Sequence, residues 1–359
     1  MNWGLGHAAR VVPVIHELIK HDVEVIIAAD GRSLELLRKE FSELKWIRLP
    51  GYDIHYSKNK SFMKSIMLQL PMILRSFFAE KKWLQEIMRK EKIDAVISDN
   101  RYGLYSKKIY TVFITHQTGI MLPRPIKCVE RMLNEVNHYL IRKFNECWIP
   151  DFEGENNLSG DLSHRYFVPP NAVFIGPLSR FSWHEEKKQF DLLVLLSGPE
   201  PQRTVLEKIL MKQLLILTCS VPKMNFKLLM VRGVPEGIEE MIQVEENFFL
   251  VDFLGGEKLN TIMLASDLII SRSGYSTIMD LATLAKKAIL IPTPGQTEQE
   301  YLAYYFKERK IFYSEKQANF NLKRALVESE KYSGLRPHFK TERLKDVVDK
   351  MCTVLSFRI

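Results

Sequence analysis

The 359-residue chain has only four cysteines, Cys128, Cys147, Cys219 and Cys352, far apart and without a Cys-x-x-Cys pair. That spacing speaks against a disulfide framework and a zinc site, and for a reducing cytoplasm. No uncharged apolar run reaches the ~18 residues that a transmembrane helix needs. The first residues lack the charged and apolar regions of a signal peptide. G-x-x-x-x-G-K-[ST], Asp-x-Asp, His-x-x-x-His and a serine nucleophile elbow are all missing. ATP hydrolysis on a P-loop is thereby disfavoured, and no acidic pair is spaced for a divalent metal. A site working without metal is the expectation.

What is present is ordinary globular composition, 46% hydrophobic and 26% charged, at a length that favours two domains. The net charge of +8 suggests anionic partners, namely nucleic acid, a membrane surface or phosphorylated ligands. Residues 54–92 hold nine Lys/Arg against three Glu, and FMKSIMLQLPMILRSFFAEKKWLQEIM interleaves them with Phe, Met, Ile, Leu and Trp. Two readings stand: an amphipathic helix lying on a membrane, or a core-packing helix pair, broken near Pro71, with a solvated basic face.

Short apolar runs alternate with helical stretches along the whole chain. VEVIIAA (23–29), IDAVISD (93–99), TVFIT (111–115) and AVFIG (172–176) precede a polar stretch, PLSRFSWHEEKKQ, that reads as a linker. The pattern restarts with FDLLVLLSG (190–198), FKLLMVRG (226–233), FFLVDFL (248–254), DLIISRSG (267–274) and KAILIPTPG (287–295). Such runs predict two consecutive α/β domains with parallel sheets, 1–178 and 179–340. A terminal helix over 341–359 is read as crossing back to the first domain. Ligands of such sheets sit at the carboxyl ends of the strands.

Gly4-Leu5-Gly6-His7-Ala8-Ala9 fits G-x-G-x-x-A, with Asp30 at the end of the next strand. Such a turn ordinarily follows a buried strand, and none can precede it here. His7 could take a proton from an acceptor hydroxyl. Asp99 and His116, at the ends of IDAVISD and TVFIT, could line an acceptor pocket or act as structural caps. In the second half, Ser197-Gly198-Pro199-Glu200-Pro201-Gln202-Arg203-Thr204 is a polar turn before a helix, suited to an anion. Ser271-Arg272-Ser273-Gly274 is another, with Asp280 further into its helix. Pro292–Glu300 closes the next strand with amides and carboxylates that suit a sugar.

With those loops the chain resembles a glycosyltransferase of the GT-B fold, close to family 28. That family includes the undecaprenyldiphospho-muramoylpentapeptide N-acetylglucosaminyltransferase group. ISRSGYSTIMDLATLAKKAILIPTPGQTEQEYLA (270–303) carries the resemblance, with WGLGHAAR and SGPEPQRT standing for two glycine loops. The second loop is poorer in glycine than the family's. The resemblance implies an α/β fold of two Rossmann-like domains facing across a cleft, whose first β-strand is missing here. It implies an inverting, metal-independent transfer from a UDP-sugar to a hydroxyl, with no cofactor. Asp280 would bind the ribose, and Phe253 and Leu254 would flank the base. Ser197, Gly198, Ser273 and Gly274 would surround the diphosphate with Arg203 nearby. Gln299 and Glu300 would meet the donor sugar, and His7 is the candidate base.

The acceptor could be lipid-linked, with the basic stretch holding a cytoplasmic protein peripherally on the inner face of the cell membrane. Nucleic acid is not among the expected partners. Rival readings are a UDP-sugar 2-epimerase of the same fold, a dinucleotide-binding oxidoreductase using Gly4, Gly6 and Asp30, and a non-catalytic UDP-sugar sensor.

Overall fold

The computed structural model describes residues 4–49, 62–120, 129–165, 168–220, 226–234, 236–335 and 343–357. Lys58 and Lys60 of the basic stretch and Cys128 lie outside them. The chain forms two compact units, Met1–Leu178 with Thr341–Ile359, and Ser179–Lys340.

The first unit runs α1 (Gly4–Lys20), β1 (Ile26–Ala29), α2 (Gly31–Glu40), β2 (Lys45–Arg48), α3 (Phe62–Lys90), β3 (Ala95–Asp99), β4 (Tyr110–Ile114), α4 (Glu130–Ile141), β5 (Glu146–Ile149), α5 (Asp161–His164) and β6 (Ala172–Phe174). Its strands make two separate parallel sheets, β1-β2 and β3-β4-β5-β6. The apolar side is correspondingly divided. Ala8, Val12 and Ile15, at helical spacing on α1, pack with Ile27, Ala29, Leu34 and Leu37. A second cluster gathers Phe113, Ile141, Phe144 and Ile149. A third joins Leu49, Leu84, Leu104 and Ile109.

Two expectations change here. The Gly4–Gly6 pair forms the first turn of α1 rather than a loop. Residues 62–90 form one helix through Pro71, not a pair broken there, although proline removes a ladder hydrogen bond. The C-terminal part of α3 buries Leu84 and Ile87, while Leu74 and Phe78 stand exposed. β4 (YTVFI) is buried at every position, which is why its sequence does not alternate.

The second unit comprises β7 (Phe190–Leu195), α6 (Gln202–Ser220), β8 (Leu228–Val231), β9 (Ile242–Glu245), β10 (Phe248–Val251), α7 (Gly256–Leu264), β11 (Ser266–Ser271), α8 (Tyr275–Thr283), β12 (Lys287–Leu290), α9 (Thr297–Glu308), β13 (Tyr313–Ser314) and α10 (Leu322–Ser329). Its single seven-stranded sheet has the order β13-β12-β11-β7-β8-β10-β9, parallel except for β9. One continuous core, from Leu192 and Val194 to Ile270 and Ile289, underlies it. The stretch read as a linker is docked on this unit instead: Phe181 is buried, and the Ser182 backbone exchanges two hydrogen bonds with the Asn260 side chain, at 3.2 and 3.0 Å.

The last helix, α11 (Arg343–Ser356), packs on the first unit. His21 Nε2 lies 2.6 Å from Asp349 Oδ1, and Lys350 Nζ donates to Glu146 Oε1 at 2.5 Å.

Candidate active site

In the first unit, the start of α1 and the carboxyl ends of β3 and β4 bring four polar side chains together. His7 Nδ1 lies 2.7 Å from Asp99 Oδ2. Arg10, one helical turn on and so on the same face, donates from Nε to Asp99 Oδ1 at 2.8 Å and from Nη2 to the same oxygen. Its Nη1 reaches His116 Nδ1 at 2.8 Å. Arg10 is 2% exposed and Asp99 15%, whereas His7 keeps 25% of its side-chain surface open.

Hydrogen-bond logic fixes the tautomers. Burial acts to raise the Asp99 pKa, but Arg10 and His7 overcome it and hold it at about 2. Asp99 is therefore an ionised acceptor, and the His7 Nδ1 facing it carries the proton. Arg10 Nη2, 2.9 Å from the same nitrogen, is then a close neighbour rather than its donor. His7 Nε2 is left as the basic nitrogen. Burial and the Arg10 charge lower the His7 pKa below its usual value, against the pull of Asp99. The imidazole is thus neutral and able to accept a proton at neutral pH. His116 receives Arg10 on Nδ1, so its proton sits on Nε2, and its carbonyl accepts from Ser163 Oγ at 2.6 Å.

Asp99 and His116 thus surround the guanidinium that steadies His7. Sequence reading missed Arg10. The signal was its position three residues after His7 in HAAR. Asp30, the acid of the dinucleotide reading, ion-pairs with Arg48 at 2.9 Å.

In the second unit the chain leaves β7 toward β8 on one side and later returns to place β11 on the other. The carboxyl ends of β7 and β11 therefore form the switch point where open α/β sheets bind ligands. Ser197 and Gly198 follow β7, exposed, with Gly198 at φ +105°. A β-carbon on Gly198 would stand 3.8 Å from Thr293 Oγ1, so the loops after β7 and β12 approach each other. Gly274 is the N-cap of α8, in extended backbone and without a side-chain hydrogen bond. Ser273 Oγ donates to the Gln299 carbonyl at 2.7 Å.

Beneath these loops lies Arg272, 1% exposed. Its Nη1 donates to the Ile291 and Pro292 carbonyls, and its Nη2 to the Gln202 carbonyl and Gln317 Oε1. One guanidinium thus ties the ends of β11 and β12 to the start of α6. Burial lowers its pKa to about 10, so it remains charged. Ser271 Oγ, Arg272 Nε and Thr293 Oγ1 are buried without a partner among the described residues.

Asp280, on α8, accepts from Ser179 Oγ at 2.6 Å. Burial pushes its pKa up to about 7, against Ser179 and Arg180. Gln299 is held in place: its Oε1 accepts from Thr293 N at 2.9 Å and its Nε2 donates to Gln296 Oε1 at 2.5 Å. Glu300 Oε1 accepts from Gly295 N at 3.1 Å. Phe253 and Leu254 follow β10, Leu254 buried. Arg203 does not stand open to an anion. It pairs with Glu200 and Glu207 and donates to the Arg232 carbonyl at 3.0 Å. Among the described residues no three His, Cys, Asp or Glu side chains gather as a metal site.

Residues 207–336 match the model of the glycosyltransferase family 28 C-terminal domain. An "Uncharacterized glycosyltransferase" of Methanosarcina acetivorans is 26% identical over 325 residues, covering 83% of this chain and 77% of its own. The Haemophilus influenzae "UDP-N-acetylglucosamine--N-acetylmuramyl-(pentapeptide) pyrophosphoryl-undecaprenol N-acetylglucosamine transferase" is 23% identical over 305 residues, 83% of this chain and 78% of that one. Among solved structures, the glycotransferase of kitacinnamycin superposes with a TM-score of 0.62 at 14% identity, covering 96% of each chain, a likeness of fold.

Proposed function

Proceeding from a GT-B glycosyltransferase that resembles family 28, we propose that it transfers a sugar from a UDP-sugar to a hydroxyl acceptor with inversion, using neither metal nor cofactor. His7 of the first unit is the base. Its Nε2 takes the acceptor proton as that oxygen attacks the anomeric carbon. The bond from that carbon to the diphosphate breaks, and its electron pair leaves with UDP. The imidazolium formed is stabilised by ionised Asp99, so proton transfer does not leave an isolated buried charge. The observation that carries this reading is the His7–Asp99 contact at 2.7 Å, braced by buried Arg10.

The second unit is the donor side. Ser197, Gly198, Ser273 and Gly274 would cradle the diphosphate, with the α8 N-terminus offsetting charge on the leaving group. Thr293 Oγ1, buried and without a partner among the described residues, fits a further donor to it. Asp280 would accept the ribose hydroxyls, Phe253 and Leu254 would flank the base, and Gln299 and Glu300 would shape the sugar pocket. Arg203, already paired, would act through the loop rather than on the ligand.

Calorimetric titration with UDP tests the donor site. Binding by the native chain, weakened at least tenfold in Asp280→Ala, is expected. A folded chain that gives no heat with UDP would remove the reading. The anomeric configuration of product from UDP-N-acetylglucosamine, read by NMR, tests inversion.

The exposed Leu74 and Phe78, one turn apart on α3 near Arg75 and Lys82, support a cytoplasmic enzyme resting on an anionic membrane beside a lipid-linked acceptor. No helix among the described residues is long and apolar enough to cross a membrane. Flotation with phosphatidylglycerol vesicles, lost in Phe78→Ser or at high salt, is the expected result. Flotation indifferent to both would refute membrane attachment through this patch.

A further inference from the structure

The seven-stranded sheet of the second unit ends in two unlike edges. At one edge β13 is only two residues long, and both are buried. At the other stands β9, exposed at all four positions and paired on one side with β10. Among the described residues no strand lies along its outer side. We propose that this edge is a docking site for an extended basic segment of a partner protein, which joins the sheet as an eighth strand.

The first ground is the apolar surface left open. Every residue from Ile238 to Glu246 is exposed. Four of them are large and apolar: Ile238 is 67% exposed, Met241 41%, Ile242 58% and Val244 37%. Single exposed apolar side chains are ordinary, whereas a contiguous group of them marks an interaction surface. On an edge strand such a group stands beside a row of unpaired backbone donors and acceptors. Proteins commonly guard such edges by shortening the strand, as at β13, or by placing lysine or proline on it. Residues 238–246 contain neither lysine nor proline.

The second ground is charge. Residues 236–246, EGIEEMIQVEE, hold five Glu and no Lys or Arg, in a chain of net charge +8. Glu239 is already committed: it pairs with Lys258 at 2.6 Å and accepts from the Gly255 N–H. Glu240, Glu245 and Glu246 are exposed and form no ion pair among the described residues.

Charge also selects the occupant. Pairing β9 with a second copy of this chain would set one acidic stretch against another, and like charges facing each other across strands are destabilising. The glutamates thus act against self-pairing while leaving a basic strand free to bind. A segment alternating Lys or Arg with apolar residues satisfies both grounds at once. Its backbone continues the ladder, its apolar side chains cover Ile242 and Val244, and its cations approach Glu240, Glu245 and Glu246.

The test titrates the full chain with a labelled peptide, Lys-Val-Lys-Ile-Lys-Val-Arg, read by fluorescence anisotropy and by amide exchange. Glu-Val-Glu-Ile-Glu-Val-Glu is the control. The basic peptide is expected to bind and to slow exchange at least tenfold at the β9 amides that β10 does not hold. Two variants separate the grounds: Ile242→Lys with Val244→Lys removes the apolar cover, and Glu240→Gln with Glu245→Gln and Glu246→Gln removes the charge. All five side chains are exposed, so both variants should melt with the native chain, and each should weaken binding at least tenfold. No binding at ~1 mM peptide, equal binding of the acidic peptide, binding without protection of β9, or binding that neither variant weakens overturns the proposal. A native dimer that Ile242→Lys with Val244→Lys dissociates, read by light scattering, overturns the choice of occupant.

Discussion

Replacing Asp99 with Asn separates the two duties of this carboxylate. Arg10 is donor-only, so the oxygen of the introduced amide must face Arg10 Nε and Nη2, and its NH2 must face His7. His7 Nδ1 then accepts, and its proton moves to Nε2, the nitrogen that should receive the acceptor proton. The stability loss follows from the Asp99 pKa. A drop from 3.8 to about 2 corresponds to about 2 kcal/mol held by the ionised form. Breaking a buried pair costs about 3–5 kcal/mol when the remaining charge is stranded. Here His116 Nδ1 and the amide oxygen still meet Arg10, so a loss of about 2–3 kcal/mol is expected. Turnover should fall about 10^2–10^4-fold, the range for a lost general base.

Urea unfolding gives the stability change, imidazole 15N shifts give the tautomer, and UDP release from UDP-N-acetylglucosamine gives the rate. His7→Ala, which leaves Arg10 and Asp99 paired, should match the rate loss with under ~1 kcal/mol of destabilisation. If Asp99→Asn keeps its rate within threefold of the native chain, or leaves the proton on Nδ1, the orienting role is refuted.

Asp280 has a raised pKa, so between pH 4 and its folded value of about 7 the native state binds more protons than the unfolded chain, and stability falls as pH rises. Asp280→Asn should therefore raise the melting temperature more at pH 8 than at pH 5 while weakening UDP binding. An equal gain at both pH values would contradict the burial argument. Native kcat/KM should rise with pH through a His7 pKa that burial and Arg10 hold below its usual value, as a pH–rate profile would show. Arg272→Met removes four donor contacts from buried carbonyl and amide oxygens and should cost about 3–5 kcal/mol by urea unfolding, with UDP binding lost. Arg203→Gln should change UDP affinity less than threefold by calorimetry, because its guanidinium is already shared by Glu200 and Glu207.

Much of the architecture could be read from apolar runs. β4, β7, β8 and β12 are buried nearly throughout, and burial on both faces demands uninterrupted apolar sequence. β2 (KWIR) and β9 (IQVE) were not legible, since both are largely exposed and their residues carry no core pattern. Pro71 misled because local propensity argues for a break, while the helix around it continues. The loops at 197–204, 271–280 and 292–300 could be read as strand-end turns, since turn chemistry is local.

Sequence alone thus determined the α/β rhythm, the strand-end loops and the residue types those loops carry, because each depends on neighbours within a few positions. Only the tertiary structure decided that Arg10 binds Asp99 and His116, that Arg203 is spent on carboxylates, and that Arg272 underlies three loops. Those partners are separated by up to 106 residues, and a hydrogen bond between them leaves no periodic trace in the chain.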